Sequence, residues 1–198
     1  MAQRRHHYEQ AFEVYLRSRR IPYVAVDEAR KALLPEGSRL AVADDPSDTP
    51  PMSSLKSFDF VVYGDAVNLL VDVKGRRVGR NPPVPKPGKF ALRKAQRGRL
   101  ESWVTNEDVA SLRRWETLFG PSFRAVFLFI YWCDAQPPDA LFQEVFDCRG
   151  RWYAVRAVTL DDYAKVMKVR SPRWGTVDVP SEDFEKVSGP FTGVGTFS

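Results

Sequence analysis

The chain has 198 residues, 43% of them hydrophobic and 13% aromatic, with a net charge of +5, which suffices to bury one core of ordinary size. Its longest apolar run, AVFLFIYWC at 125–133, falls far short of the roughly 18 residues that span a bilayer, and no apolar stretch follows the charges of MAQRRHHYEQAFE. A soluble, unsecreted, cytoplasmic protein with no membrane partner is therefore expected.

In residues 4–19, Tyr8, Ala11, Phe12, Tyr15 and Leu16 follow the spacing of a helix with one buried face. Glu9 borders that face, and Glu13 lies further round toward solvent. IPYVAV at 21–26 reads as a strand and DEARKALL as a short helix stopped by Pro35-Glu36-Gly37. A flexible insertion at about 36–55 is expected from its Pro, Ser and Asp content.

The segment SFDFVVYGDAVNLLVDVKGRR, 57–77, then reads as two apolar strands, and a turn on Asp65-Ala66 brings Asp59 opposite Asp72. Opposed side chains project from one face about 5 Å apart, where like charges repel. Alternation adds Lys74 to that face and turns Val71 and Val73 away. A hard divalent cation resolves the conflict, since Mg²⁺ takes one or two carboxylates together with water and phosphate oxygens. It would also acidify a bound water, while a nearby lysine orients that water or neutralises charge developing on phosphorus. These are the parts of a phosphodiesterase.

From Lys74 to Leu100 the sequence holds ten basic residues and no acid, whereas elsewhere it has 20 basic residues against 25 acidic. Nine of the ten, Arg76, Arg77, Arg80, Lys86, Lys89, Arg93, Lys94, Arg97 and Arg99, follow the candidate lysine directly. GRNPPVPKPGK has too many prolines for an interior strand or helix, so 76–101 is read as a flexible insertion that contacts the phosphate backbone of nucleic acid.

TNEDVASLRRWETLFG predicts a helix capped by Thr105 or Asn106 and stopped at Gly120-Pro121. The continuous apolar run FRAVFLFIYW predicts a central strand parallel to 67–74. ALFQEVFDC and RWYAVRAV form a second hairpin across Arg149-Gly150, followed by a capped helix at TLDDYAKVMK. The last 28 residues are expected to hold at most one short helix, near SEDFEKV. Cys133 and Cys148 sit among strand residues without zinc-site spacing, which predicts buried free thiols. The five tryptophans are expected in the core and carry no site assignment.

Asp59, then Asp72-Val73-Lys74 at the end of the next strand, preceded by a helix bearing Glu9, resembles the PD-(D/E)XK nuclease superfamily. Within it the chain is most similar to archaeal Holliday-junction resolvases and related small DNA endonucleases. The likeness runs from Glu9 to about Trp132. Ser57-Phe58 stands where the motif's proline would be, and the second acid is the shorter aspartate.

The resemblance implies an α/β restriction-endonuclease-like fold, with an αβββαβ core around a mixed central sheet plus a C-terminal hairpin and helix. Residues 1–170 would form the nuclease-like domain, with 171–198 packing on it as an extension. It further implies metal binding by Asp59, Asp72 and the Val73 carbonyl, a catalytic Lys74, and Glu9 acting through water or a second ion. Mg²⁺ is the expected cofactor, with Mn²⁺ able to substitute. The expected substrate is duplex or branched DNA, chosen by structure or by ends rather than by sequence. A homodimer is expected, with the second hairpin around Phe142 to Trp152 in the contact. The rival functions are an inactive nucleic-acid-binding module of the same fold and a metal-dependent hydrolase of RNA or nucleotides.

Overall fold

The structure, a computed structural model, describes residues 3–27, 55–78, 100–133 and 144–191. The helix expected at DEARKALL beyond Asp27, nearly all of the insertion at 36–55 and the basic residues Arg80 to Arg99 lie outside them. Helix α1 (Gln3–Ser18) is followed by strands β1 (Tyr23–Ala25), β2 (Phe60–Val62) and β3 (Asn68–Arg77). A short β4 (Val104–Thr105) leads into α2 (Asn106–Phe119) and then β5 (Phe123–Cys133). Beyond these come β6 (Val145–Cys148), β7 (Arg151–Thr159), α3 (Leu160–Val166), β8 (Lys168–Ser171), β9 (Thr176–Asp178) and α4 (Ser181–Val187).

Six strands form one sheet in the order β1-β2-β3-β5-β7-β6. β3 and β5 are parallel, as the crossover through α2 requires, and every other pairing in this sheet is antiparallel. Apart from the two-residue β4, which joins no strand of this sheet, the order is αβββαβ around a mixed sheet, the core order expected from the sequence.

Strand alternation divides the core between the two faces of the sheet. On one face Leu69, Val71, Val126, Leu128 and Ile130 pack against Ala11, Phe12, Tyr15 and Leu16 of α1, so the predicted helix face is the buried one. On the other face Leu70, Ala125, Phe127, Phe129 and Tyr131 pack against Leu112 of α2, Tyr163 of α3 and Phe184 of α4. Each Leu or Phe buried this fully contributes about 1.5–3 kcal/mol relative to exposure. Asp72 and Lys74 belong to the face that carries α2.

The second hairpin turns on Arg149 and Gly150 with φ of 54° and 72°, the two left-handed residues of a type I′ turn. Cys133 and Cys148 are free and buried. Two features differ from the sequence expectation. β3 runs on to Arg77, so Arg76 and Arg77 belong to a strand. The region after α3, expected to hold only a helix, also contains the β8–β9 hairpin, which joins β4 in a second sheet of order β4-β9-β8. Its strands are only three and four residues long, too short for a clear alternation. No helix among the described residues is long and apolar enough to cross a membrane.

Candidate active site

The hairpin of β2 and β3 has the predicted register, with Phe60 opposite Val71 and Val62 opposite Leu69. That register would place Asp59 directly opposite Asp72, but the ladder shifts there. The Asp59 N–H donates to the Val71 carbonyl at 3.0 Å, while the Asp59 carbonyl accepts from Val26 N–H at 2.9 Å. One extra residue thus bends the strand, as in a bulge. The Asp59 carboxylate turns back toward β3 and accepts from Val73 N–H at 2.6 Å. Because N–H and C=O of one strand residue point to the same side, the Val73 carbonyl faces the same edge as this carboxylate.

On the α2 face, Lys74 Nζ lies 2.9 Å from Asp72 Oδ2 and 3.2 Å from Asp108 Oδ1. Asp108 has no site role among the residues expected from the sequence. It is the third residue of α2, where its N–H donates to Thr105 Oγ1 at 3.0 Å and its Oδ2 accepts from Thr105 N–H at 2.9 Å. This capping box fixes the carboxylate and leaves Oδ1 for Lys74 and for Lys56, which also pairs with it. Lys56 is anchored to the same helix. Its N–H donates to Ser111 Oγ at 3.3 Å, and its carbonyl accepts from Trp115 Nε1 at 2.9 Å.

The four charges respond differently to this crowding. Burial pushes the Asp59 carboxyl well above its ordinary value, and the Asp72 charge pushes it further, against the Val73 N–H that favours the ionised form. Asp72 is also raised by burial, with Lys74 opposing. Burial works against the Lys74 charge, but Asp72 and Asp108 outweigh it and hold the ammonium above its usual range. Asp108 is held at about 2, because Lys74, Lys56 and the Thr105 N–H outweigh its burial. One ammonium shared between two carboxylates cannot satisfy both. Asp108, with further donors, keeps its charge easily, and Asp72 bears the strain.

Glu9 is brought to the same region, where its charge further raises Asp59. Its neighbour Tyr8 fixes the approach of α1: the Tyr8 ring lies where a Cβ on Gly75 would be, and its hydroxyl donates to the Arg76 carbonyl at 3.1 Å. Gly75→Ala would drive a methyl group into that ring, and overpacking of this kind costs about 1–3 kcal/mol. The expected outcome is a lower melting temperature with a displaced α1. A variant as stable as the parent would mean that α1 is not held by this contact.

The two strand arginines do not reach outward as a pair. Arg76, expected to grip nucleic acid, donates to the Gly75 carbonyl at 2.8 Å and also to the Trp103 carbonyl. Its guanidinium carbon sits 4.2 Å over the Trp103 ring. It shares a strand face with Asp72 and Lys74, so it is drawn inward and stacked. Arg77 is exposed, over Trp132 at 4.7 Å. Arg80, Lys86, Lys89, Arg93, Lys94, Arg97 and Arg99 lie outside the described residues.

Among the described residues no three His, Cys, Asp or Glu side chains stand close enough to ligate one ion between them. The cleft bounded by Lys56, Asp72, Asp108 and Trp115 has no room for a free water molecule. The flank between Asp59, Asp72 and the Val73 carbonyl offers hard oxygen donors with two carboxylates, a set that suits Mg²⁺ when water and phosphate complete the shell.

No protein-family model and no curated protein matches this chain. Among solved structures, the chain is similar in course to the Holliday junction resolvase Hjc of the archaeal hyperthermophile Archaeoglobus fulgidus. The two are 12% identical, 93% of each chain is covered, and the TM-score is 0.46.

Proposed function

We propose that the chain is a Mg²⁺-dependent endonuclease of the PD-(D/E)XK type, acting on the phosphodiester bonds of DNA and selecting structure or ends rather than sequence. The observation that carries this reading is the pair of half-buried Asp59 and buried Asp72 beside Lys74, with both carboxyls raised and the Val73 carbonyl on the edge that Asp59 faces. Asp59, Asp72 and the Val73 carbonyl would hold the ion, and Glu9 would contribute through water or a second ion. When bound, Mg²⁺ would supply charge to the scissile phosphate and acidity to an attacking water. Lys74, held charged by Asp72 and Asp108, would hydrogen-bond that water or an equatorial phosphate oxygen. Asp108 positions Lys74 from the fixed end of α2.

A panel of linear, nicked, flapped and four-way DNA, with RNA alongside, incubated with Mg²⁺ or Mn²⁺ tests the reading. Metal-dependent cutting of DNA is expected, and preferential cutting of RNA would transfer the site to the rival hydrolase. An inactive nucleic-acid-binding module remains the second reading, because Lys74 and Lys56 already neutralise Asp72 and Asp108 without an ion. Binding without cutting under either metal would select it. A duplex has two strands of opposite polarity, so a homodimer would present one site to each; light scattering with DNA bound checks the pairing.

The basic residues after Lys74 supply the proposed grip on the backbone. Changing Lys86, Lys89, Arg93 and Lys94 to Gln should weaken binding to all sequences alike. It should also flatten the dependence of log affinity on log salt by up to about 3 to 4 units, at roughly 0.9 per phosphate contact. An unchanged slope in a salt titration would make this segment a solvated surface.

A further inference from the structure

Trp174, expected in the core, is 72% exposed and is the most exposed large apolar side chain among the described residues. It stands at the tip of the β8–β9 hairpin, where Gly175 takes a φ of 54° and closes the turn. The tip is tied to the candidate site. The Gly175 carbonyl accepts from the N–H of Asn106 at 2.8 Å, and Asn106 begins the helix whose Asp108 holds Lys74. Between β3 and the hairpin, the Trp103 ring is flanked by Arg76 at 4.2 Å and Arg170 at 5.7 Å. Through Trp103, the strand of Lys74 thus meets β8 of the hairpin.

From Lys165 to Val177 the sequence has four cations and no acid. Lys165 and Arg170 meet Asp162 and Asp178. Lys168 and Arg173 pair with no carboxylate among the described residues, and the Arg173 guanidinium lies 5.6 Å from the Trp174 ring centroid. A protein-docking hot spot is a cluster of apolar groups that desolvate one another. Here a single ring, with Val169 the other exposed apolar residue of the hairpin, projects from a basic surface. That combination matches the way single-stranded nucleic acid is held, with a base stacked on an aromatic face and its flanking phosphates on cations.

We infer that Trp174 is a stacking platform for an unpaired base, with Lys168 and Arg173 taking the adjoining phosphates, so that the hairpin directs the site to DNA with a strand separated from its complement. Bases inside a duplex are already stacked on their neighbours and present no free face to the ring. This assignment rests on the proposed nuclease reading and gives its structure selectivity a residue.

The test uses the full chain in EDTA, where cutting is suppressed, with a flapped DNA carrying 2-aminopurine in the flap and a plain duplex carrying it inside. The parent should bind both and quench the flap fluorophore. Trp174→Ala should weaken flap binding about tenfold, abolish the quench and leave duplex affinity unchanged, and Trp174→Phe should restore most of the flap affinity. Arg173→Gln should weaken both DNAs and lower the salt slope. Equal losses on flap and duplex for Trp174→Ala, or a quench that survives it, would overturn the platform while leaving the nuclease reading in place. Loss of a dimer on Trp174→Ala, read by light scattering of the free chain, would assign the ring to a protein interface and also overturn it. Failure of the parent to bind either DNA would instead sink the nucleic-acid reading on which it rests.

Discussion

Asp72→Asn should lower cleavage by about a thousandfold or more while leaving the metal-free fold as stable as the parent or slightly more so. The asparagine has the same shape and can still accept from Lys74, which keeps Asp108 as its charged partner. What disappears is a carboxylate that burial penalises and that repels Asp59. The pH dependence follows from the direction of these shifts. A carboxyl raised in the folded state takes up its proton more readily there than in the unfolded chain. Its contribution to stability is therefore complete below the unfolded value near 4 and is lost as pH rises through the raised one. Asp108, held at about 2, acts oppositely: its contribution is present above about 4 and is lost as pH falls through about 2. The metal-free parent should thus lose stability from mildly acid to neutral pH, and Asp72→Asn should lose less. Added Mg²⁺ should raise the melting temperature of the parent by linkage and of the variant hardly at all. A large drop in the metal-free melting temperature would make Asp72 a structural residue.

The parts of this site that could be read in the sequence are those set by local periodicity. The two-residue period fixed the faces of Asp72, Lys74 and Val73, and the short turn at Asp65-Ala66 fixed the register through Phe60. The helical period of Tyr8, Ala11, Phe12, Tyr15 and Leu16 placed α1 correctly and with it Glu9. The bend at Asp59 had no such signal, because it depends on the Val26 N–H holding the Asp59 carbonyl from the neighbouring strand.

Asp108 escaped for a related reason. An acid at the third position of a helix reads as a cap, which it is, and only tertiary packing shows that its second oxygen meets Lys74 and a lysine 52 residues away in sequence. Arg76 was within reach of the sequence. Extending β3 by two residues puts it on the face of Asp72 and Lys74, pointing inward. Trp174 was masked by the usual preference of tryptophan for the interior, although Pro172 and Gly175 on either side already marked a turn tip.

Lys74→Met should abolish most cleavage and destabilise the metal-free protein by about 3 kcal/mol at neutral pH, the lower end for breaking a buried ion pair. Methionine keeps most of the apolar stem near Phe127 but removes the ammonium from between Asp72 and Asp108. Asp108 retains Lys56 and the Thr105 N–H, so the unpaired charge falls on Asp72. Asp72 can escape by taking a proton, so the difference from the parent should shrink as the solution is made acid. At the other end, the Lys74 pKa is raised in the fold, so its contribution is complete below the unfolded value of about 10.4 and is lost only as pH rises through the higher folded one. Two further measurements separate a metal ligand from a structural pair. Mg²⁺ should restore more stability to Lys74→Met than it adds to the parent, since the ion supplies the missing positive charge to Asp72. The double variant carrying Asp72→Asn as well should recover much of the lost stability, with a coupling energy of order 1–3 kcal/mol in the cycle. If Mg²⁺ leaves the melting temperature of Lys74→Met unmoved while the double variant recovers, Asp72 is the structural partner of Lys74 and not a metal ligand.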